Sequence, residues 1–343
     1  MTKSMKSRVI WIDGMKLFAC ILVVLGHLYM SLASAGWIPS DALYYCYPVQ
    51  TVYTFHVPLF FVCSGYLYQR KQTEYTVTSH WKNIKNKALS LGVPYFVFSL
   101  ITLVLKIVFA DSVNNQATPI LRTLFWEPIA PYWYLYTLFF IFCFIPRQRN
   151  KEDLWKILGI SLLVKIVYIC VPWTFQFPDM IGKVASNAVW FAFGMLLTNS
   201  DYCRSILNRY MMAICFAIGI ITSAVFYWQT NTSGWVQFLV GANFVYAFVC
   251  LFCKVVDKHG NKITRRLSKY FMPVYLMHTI AAAALRTLLL KVGINALLVH
   301  ICVGLVASFI LPALVYEVAL KKWWLLFWIE PEKALKMRGN DNV

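Results

Sequence analysis

Residues 13–30 of the chain, DGMKLFACILVVLGHLYM, place two ionisable side chains, Lys16 and His27, inside one long apolar run. Such a run is typical of a membrane-spanning helix, and ionisable groups there are costly unless they face protein and bind charge or take part in chemistry. The spacing of eleven residues predicts that Lys16 and His27 share one helix face, about 16 Å apart along the axis. Asp13 lies about 40° from that face. The run therefore predicts a first span with an acid and a base near its cytoplasmic end and an imidazole deep in the membrane.

The composition of the whole chain is that of a protein with many membrane spans. Its 343 residues are 60% hydrophobic and 13% charged, which is about half the charged share of a soluble domain, and the mean hydropathy is +0.61. We expect no cleavable signal peptide, because the first apolar run is too long and contains Lys16. We also expect no disulfide framework and no metal site, because the ten cysteines lie almost all in apolar runs.

Ten apolar runs reach or approach the length that crosses a bilayer, about 17–25 residues. The fourth run is short, and Pro128 and Pro131 interrupt its beginning, so we expect a re-entrant start there. The ten runs are 10–34, 44–68, 88–110, 131–146, 155–172, 184–199, 210–228, 236–253, 270–290 and 296–318.

The charge of the loops predicts how these spans are oriented. Most of the 32 Lys and Arg residues fall in alternate loops, and short loops rich in Lys and Arg stay in the cytoplasm. The prediction is an all-α polytopic membrane protein with about ten transmembrane helices, both termini cytoplasmic, and a single domain over residues 1–343. This topology and anionic inner-leaflet lipid explain the net charge of +18. The dispersed basic residues do not favour nucleic-acid binding.

The second predicted span contains a further imidazole and the features that shape a cavity. Pro58 frees a carbonyl upstream of it and kinks the helix, and Ser64 with Gly65 lets another helix or a ligand come close. His56 lies at a depth that matches His27, so the two rings can act as base and orienting partner. The alternative is that His56 only bonds a backbone carbonyl. His278, in the ninth run, is either a third cavity group or a structural residue.

Basic residues begin the third predicted span, where Lys82, Lys85 and Lys87 follow one another closely. One interpretation is anchoring of the helix at the cytoplasmic surface. The other is a phosphate site for a nucleotide diphosphate at the cytoplasmic mouth of the protein.

Taken together, these motifs resemble the acyltransferase 3 family of integral membrane acyltransferases. Its signature of Arg, Asp, Gly, a basic residue and His opens the first span, and further likenesses occur in the second span, a Trp-aromatic-Leu segment and a late Tyr-Leu-x-His stretch. The resemblance covers essentially the whole chain, in the short form without an extracytoplasmic hydrolase-like domain. The matching positions are Arg8, Asp13, Gly14, Lys16 and His27, together with 55–67, 131–140 and 274–278.

The resemblance implies an enzyme of the bacterial inner membrane. Within the family, the short form resembles the O-acetyltransferases that modify sugars of surface polysaccharides. The resemblance also implies acetyl-CoA as a donor reached from the cytoplasm, a hydroxyl of a carbohydrate or lipid-linked sugar as acceptor, and an essential first-span His27. The chain departs from the family pattern twice. It has Lys16 where Arg is common, and only Lys82 and Lys85 represent the Arg-x-x-Arg motif of the third span, so the bidentate fork to phosphate is lost.

We assign roles to the candidate residues on this basis. His27 is the general base or the acyl acceptor, with His56 as its partner, and Asp13 is grouped with them although it lies too far along the helix to pair with His27 directly. No metal is involved. The candidates for the donor's phosphates are Lys16, Arg8, Lys82 and Lys85, and the candidates for the sugar site are Tyr66, Trp133 and Tyr134.

Two other function classes stay open. One is a proton-coupled transporter or flippase that uses Lys16, His27 and His56 as a relay, although the internal repeats common in such proteins are not visible here. The other is a membrane-bound O-acyltransferase of the second large class, for which the late His278 is the candidate. The sequence does not identify the acceptor, the acyl chain length or the oligomeric state.

Overall fold

The computed structural model describes residues 9–71, 76–109, 119–171, 178–228, 234–256 and 262–341. Over these residues the secondary structure consists of helices and their connections, as the composition predicts. The α-helices, in chain order, are α1 (Ile10–Ser34), α2 (Leu43–Arg70), α3 (Val77–Lys87), α4 (Val93–Val108), α5 (Ile120–Phe125), α6 (Trp133–Phe144), α7 (Lys151–Cys170), α8 (Asp179–Leu196), α9 (Ser200–Ile206), α10 (Arg209–Trp228), α11 (Gly234–Leu251), α12 (Lys262–Leu267), α13 (Phe271–Lys291), α14 (Leu297–Ala319), α15 (Trp323–Leu326) and α16 (Pro331–Asp341).

Six helical segments in the described ranges are long and apolar enough to cross a membrane, and a seventh joins them if the bent pair α8 and α9 is one span. They are 10–34, 77–108, 209–228, 234–254, 263–291 and 297–319. The protein is therefore a polytopic helical membrane protein. Each of the other predicted runs contains a helix, but α2 and α7 are not among these six and α6 has only 12 residues. Ten spans and cytoplasmic termini stay predictions.

The helix α1 begins and ends where the sequence indicates. Its apolar residues continue without interruption to Ser34, and Gly36 then adopts a φ of +76°, a conformation that is easy only for glycine. The Trp37 amide donates to the Leu32 carbonyl across this turn at 3.0 Å, which is a common way to close a helix. His27 therefore lies two turns inside a firmly terminated helix end.

The helix α2 is central, because it packs against α1, α8, α10 and α11. Its crossing with α8 depends on two glycines, one on each helix, and each glycine faces the backbone of the other helix. A Cβ added at Gly65 would overlap the Phe191 carbonyl, and one added at Gly194 would overlap the Val62 carbonyl. Small residues at such a crossing let two backbones approach closely. The predicted close approach at Gly65 is thus confirmed, and the neighbour is a helix.

Irregular turns interrupt the helices at several places, among them a π-helical turn at Phe252–Val256 after α11. The turn Ala88–Gly92 between α3 and α4 is π-helical, and the axes of α8 and α9 differ by 112°. The peptide bond before Pro131 is cis, just ahead of α6.

The main buried core lies between α1, α2, α8, α11 and α13, so the inner face of α1 is covered by protein.

Candidate functional site

An internal cavity of about 330 Å³ lies beside the C-terminal half of α1, at the lower end of the volumes typical of small-molecule sites, about 300–1,000 Å³. Helices α1, α2, α6, α7, α8, α11 and α13 contribute to its wall. Met30 is 38% exposed and lies on its rim. The lining residues are Val23, His27, Met30, Tyr53, Thr54, His56, Val57, Pro58, Phe60, Ala130, Pro131, Trp133, Tyr134, Lys165, Ser186, Asn187, Trp190, Gln237, Phe238 and Tyr275.

His27 borders this cavity and does not face lipid. The preceding Gly26 makes room for the Tyr53 ring, because a Cβ there would come within 2.8 Å of Tyr53 Cε2. The Tyr53 ring centre lies 6.4 Å from that of His27, and its hydroxyl is buried with no hydrogen-bond partner among the described residues. A Gly-His pair in the span thus lets one tyrosine ring pack directly against the imidazole.

His56 lines the same cavity, as its predicted depth suggested. Its Nδ1 lies 2.7 Å from the Val52 carbonyl oxygen, so Nδ1 carries the hydrogen and Nε2 carries the lone pair. The ring centre is 4.6 Å from that of Tyr53. The ring therefore bonds a backbone carbonyl with one nitrogen and keeps the other as an acceptor, and its role as the partner of His27 stays a prediction.

His278 is a third imidazole in this region. Its Nδ1 lies 3.0 Å from the carbonyl oxygens of Val274 and Tyr275, so Nε2 again carries the lone pair. That Nε2 atom is buried without a partner in the described structure, and the ring centre is 5.3 Å from that of His27. His278 is thus placed to accept a hydrogen bond from His27. The three imidazoles do not form a metal-binding group in the part of the chain that is described.

The aromatic candidates for the sugar site separate into two locations. Trp133 and Tyr134 line the cavity, and the Tyr134 hydroxyl is 2.9 Å from the Ser64 hydroxyl. Tyr66 is not among the lining residues, and its ring packs against Trp11 with centres 4.9 Å apart. We therefore leave Tyr66 out of the site that we propose below.

A second part of the cavity wall is polar and comes from α7, α8 and α11. It contains Lys165, Ser186, Asn187 and Gln237. The Asn187 side-chain amide donates to the Lys183 carbonyl at 2.8 Å. Sequence reasoning noted Lys165 only as a basic residue inside a span and did not identify the other three, because an isolated amide or hydroxyl in an apolar helix gives little signal.

Cations gather near the beginning of α1, at the end opposite to His27. Lys87 interacts electrostatically with the cations Lys71, Lys16 and Arg147 and with the carboxylate of Glu332, and we call Lys16, Lys87 and Arg147 the cationic cluster. The Lys87 ammonium lies 4.9 Å from the centre of the Phe142 ring, and the Arg147 guanidinium lies 4.7 Å from that of Tyr68. Aromatic faces attract and position such cations.

Arg147 is the member of the cationic cluster that lies outside the spans. Its Nη2 donates to the Asn83 side-chain oxygen at 3.4 Å. Burial lowers the pKa of the Arg147 guanidinium, and Tyr68 opposes the shift. Because an arginine starts above about 12, Arg147 remains charged at neutral pH.

The other predicted donor residues do not all join the cationic cluster. Lys82 and Lys85 lie on α3 with exposed side chains, and Arg8 lies outside the described residues. Asp13 belongs to the first turn of α1, about 21 Å along the helix from His27. Sequence reasoning names Lys87 with Lys82 and Lys85 as part of a possible phosphate site but does not include it among the final candidates, whereas it does not assign Arg147, because Arg147 looks like one of several basic loop residues.

Aromatic side chains separate the cationic cluster from the cavity. The Lys16 ammonium is 5.8 Å from the centre of the Phe271 ring, and that ring is 5.2 Å from Phe60, which lines the cavity. Tyr134 and Tyr275 continue this layer, with centres 5.8 Å apart. We call Phe60, Phe271, Tyr134 and Tyr275 the aromatic layer.

The geometry defines a class of protein, a multi-pass membrane protein with a histidine-lined internal cavity and a cationic cluster at the other end of the same helix. The chain matches a family model described as an acyltransferase domain over residues 9–317. It therefore belongs to the acyltransferase 3 family, whose members are membrane acyltransferases. No curated protein and no solved structure matches it. The resemblance that begins with the first-span signature is confirmed.

Proposed function

We propose that the protein is an O-acetyltransferase of the bacterial inner membrane that moves an acetyl group from acetyl-CoA to a hydroxyl of a cell-surface carbohydrate or lipid-linked sugar. The observation that carries the proposal is that His27 borders an internal cavity about 16 Å along α1 from Lys16. That distance suits a long, extended donor whose charged end and reactive end are far apart.

His27 acts as the general base in this proposal. An alcohol is a poor nucleophile until its proton is removed, and a positioned histidine can remove it in the transition state. The acceptor oxygen then forms a bond to the thioester carbonyl carbon, the carbon–sulfur bond breaks, and the proton taken by His27 goes to the departing CoA sulfur. A transient acetyl-imidazole at His27 is the alternative route and ends in the same products.

Two neighbouring groups support His27. His278 Nε2 has no hydrogen-bond partner among the described residues, and its ring lies beside that of His27. In the proposed mechanism the His27 ring turns so that the nitrogen that takes no part in proton transfer donates to this atom, which fixes the ring and its tautomer. The unpartnered Tyr53 hydroxyl is available to donate to the oxyanion that forms on the thioester carbonyl. His56 supplies a second lone pair to the cavity for a proton on the acceptor.

The cationic cluster suits the phosphate groups of the donor. Lys16, Lys87 and Arg147 carry positive charge close together, and Arg147 offers the planar donor geometry that matches phosphate. The acetyl end must then pass the aromatic layer to meet His27, so Phe60 and Phe271 limit entry of water from that side.

The test uses purified protein in lipid discs with radiolabelled acetyl-CoA and glycans extracted from the cell surface. We expect transfer of label to the glycan, and a loss of about 10²–10⁴-fold in the rate for His27→Ala, the range that general-base catalysis supplies. His300→Ala is a matched control, because His300 is also a buried imidazole bonded to a backbone carbonyl, at 2.8 Å from Ile294 O, but is not part of the cavity wall. Unchanged transfer in His27→Ala refutes the assignment, and movement of substrate across the disc without release of CoA favours the transporter class.

A further inference from the structure

The polar part of the cavity wall contains a cation without an ionic partner. Lys165 lies on α7 with its Nζ 5.7 Å from the centre of the Phe238 ring, and no charged group in the described part of the chain is close enough to interact with it. An ammonium group that leaves water without a counter-charge is costly, and such residues in membrane spans mark binding or transport sites. Lys165 therefore needs an explanation.

Lys183, one turn before the cavity-lining Asn187 on α8, is an example of a lysine with its own counter-charge. It forms an ion pair with Asp179, one turn before it on α8, while its Nζ lies 5.3 Å from the centre of the Trp133 ring. Between α5 and α6, Glu127 is likewise paired, with Arg122 at 2.6 Å. The carboxylates of this region thus serve other cations, and Lys165 is left to meet a charge that comes from a ligand.

The groups around Lys165 are those that bind a sugar. Ser186, Asn187 and Gln237 supply hydroxyl and amide groups to the same cavity, and Asn187 keeps its side-chain oxygen as an acceptor while its amide donates to Lys183 O. Trp133 and Trp190 add aromatic faces, which pack against the apolar faces of sugar rings.

We propose that Lys165 binds an anionic group of the acceptor sugar, a carboxylate or a phosphate, so that the acceptor is an acidic carbohydrate. This inference rests on the proposed function, because it names the acceptor class of that site. His27 and Lys165 border one cavity of about 330 Å³, so an anion at Lys165 and a hydroxyl at His27 belong to the same or adjacent sugar units. A charge-assisted bond at this point fixes which hydroxyl is presented to the base.

The competing explanation is that Lys165 extends its ammonium to the membrane surface, as lysines near helix ends do. Lys165 is five residues before the end of α7, so its position alone does not distinguish the two. Binding measurements distinguish the two explanations, because a lysine at the membrane surface has no effect on which sugar binds in the cavity.

The experiment measures binding of three probes, glucuronate, glucose 6-phosphate and glucose, by calorimetry on the full-length protein in lipid discs. The variants are Lys165→Met, Lys165→Arg and Lys106→Met. Lys106 is the matched control, because it is a lysine inside another apolar helix, α4, that does not line the cavity. Thermal denaturation confirms that each variant is folded.

We expect the wild-type protein and Lys106→Met to bind one or both anionic sugars at least about tenfold more tightly than glucose. Lys165→Met should lose this preference and Lys165→Arg should keep most of it. The ratio of the dissociation constants for glucuronate and glucose 6-phosphate then indicates whether the preferred anion is a carboxylate or a phosphate. Equal binding of charged and neutral sugars by the wild type, or an unchanged preference in Lys165→Met, overturns the proposal. The assay needs no acetyl-CoA, so a preference that depends on Lys165 stands even if His27→Ala shows no loss of transfer.

Discussion

Replacing His278 with phenylalanine removes the acceptor that faces His27 while nearly preserving the size of the buried side chain. The two imidazole centres are 5.3 Å apart, so a nitrogen of each ring comes to within roughly 3 Å of the other when the two rings turn towards each other. His278 Nε2 carries a lone pair because Nδ1 bonds the Val274 and Tyr275 carbonyls. When His27 takes the proton of the acceptor hydroxyl, its other N–H becomes a charged donor to that lone pair.

The size of the effect follows from this bond. A hydrogen bond to a charged group contributes about 1.5–3 kcal/mol, and about 1.4 kcal/mol corresponds to a tenfold change in rate. We therefore expect His278→Phe to lower kcat by about 10–150-fold. The KM for acetyl-CoA should change little, because His278 is remote from the cationic cluster. His278→Gln should recover part of kcat, since its side-chain oxygen can accept the same bond.

The assay is the glycan transfer reaction, with kcat and KM measured separately and with thermal denaturation of each variant. His300→Phe is the matched control, because it also replaces a buried imidazole that is bonded to a backbone carbonyl. If His278 acts through His27, adding His278→Phe to His27→Ala should cause no further loss of rate. The reasoning is wrong if His278→Phe lowers kcat no more than His300→Phe does, or if His278→Gln recovers nothing.

Two other predictions concern the donor end and the helix crossing. Arg147→Gln should raise the KM for acetyl-CoA about tenfold or more with little change in kcat. The control is Arg149→Gln, which replaces an exposed arginine and should change neither constant. Equal effects of the two variants in saturation kinetics would refute a special role for Arg147. Gly194→Ala should lower the free energy of unfolding by about 1–3 kcal/mol, because its Cβ meets the backbone of α2. Gly159→Ala is its control, since nothing lies within 4 Å of a Cβ there, and equal denaturation midpoints for the two variants would contradict the packing argument.

The sequence predicts single helices well where apolar residues continue without interruption and the ends are marked. The predicted runs 10–34 and 296–318 match α1 and α14 to within a residue. It also predicts the inner face of α1 correctly. Lys16 and His27 both contact α13, at Phe271 and His278 respectively, as two side chains on one helix face should.

What the sequence does not predict depends on how helices pack. Tyr53 is one of 20 tyrosines, and only the close approach at Gly26 brings it to His27. Lys87 and Arg147 cannot be told apart in the sequence from Lys82 and Lys85, because all four are basic residues outside or at the edge of the apolar runs. The fold decides between them, since it turns Lys87 and Arg147 towards aromatic rings and leaves the other two exposed.

The positions of the two groups of cations explain why the reaction we propose would take place at His27 and not elsewhere. The cationic cluster and Lys165 attract ligands of the same sign, and two anions repel each other strongly when they are close in a medium of low dielectric constant. In the reaction that we propose, the aromatic layer lies between the two anionic groups, which are the donor's phosphates at the cationic cluster and the anion of the sugar at Lys165. We expect the uncharged thioester end of the donor to cross that layer at lower cost than its phosphates, because apolar surroundings penalise charge more than a neutral chain. His27, at the far side of the layer, is then where an uncharged acetyl group and a sugar hydroxyl meet while the two anionic groups stay apart.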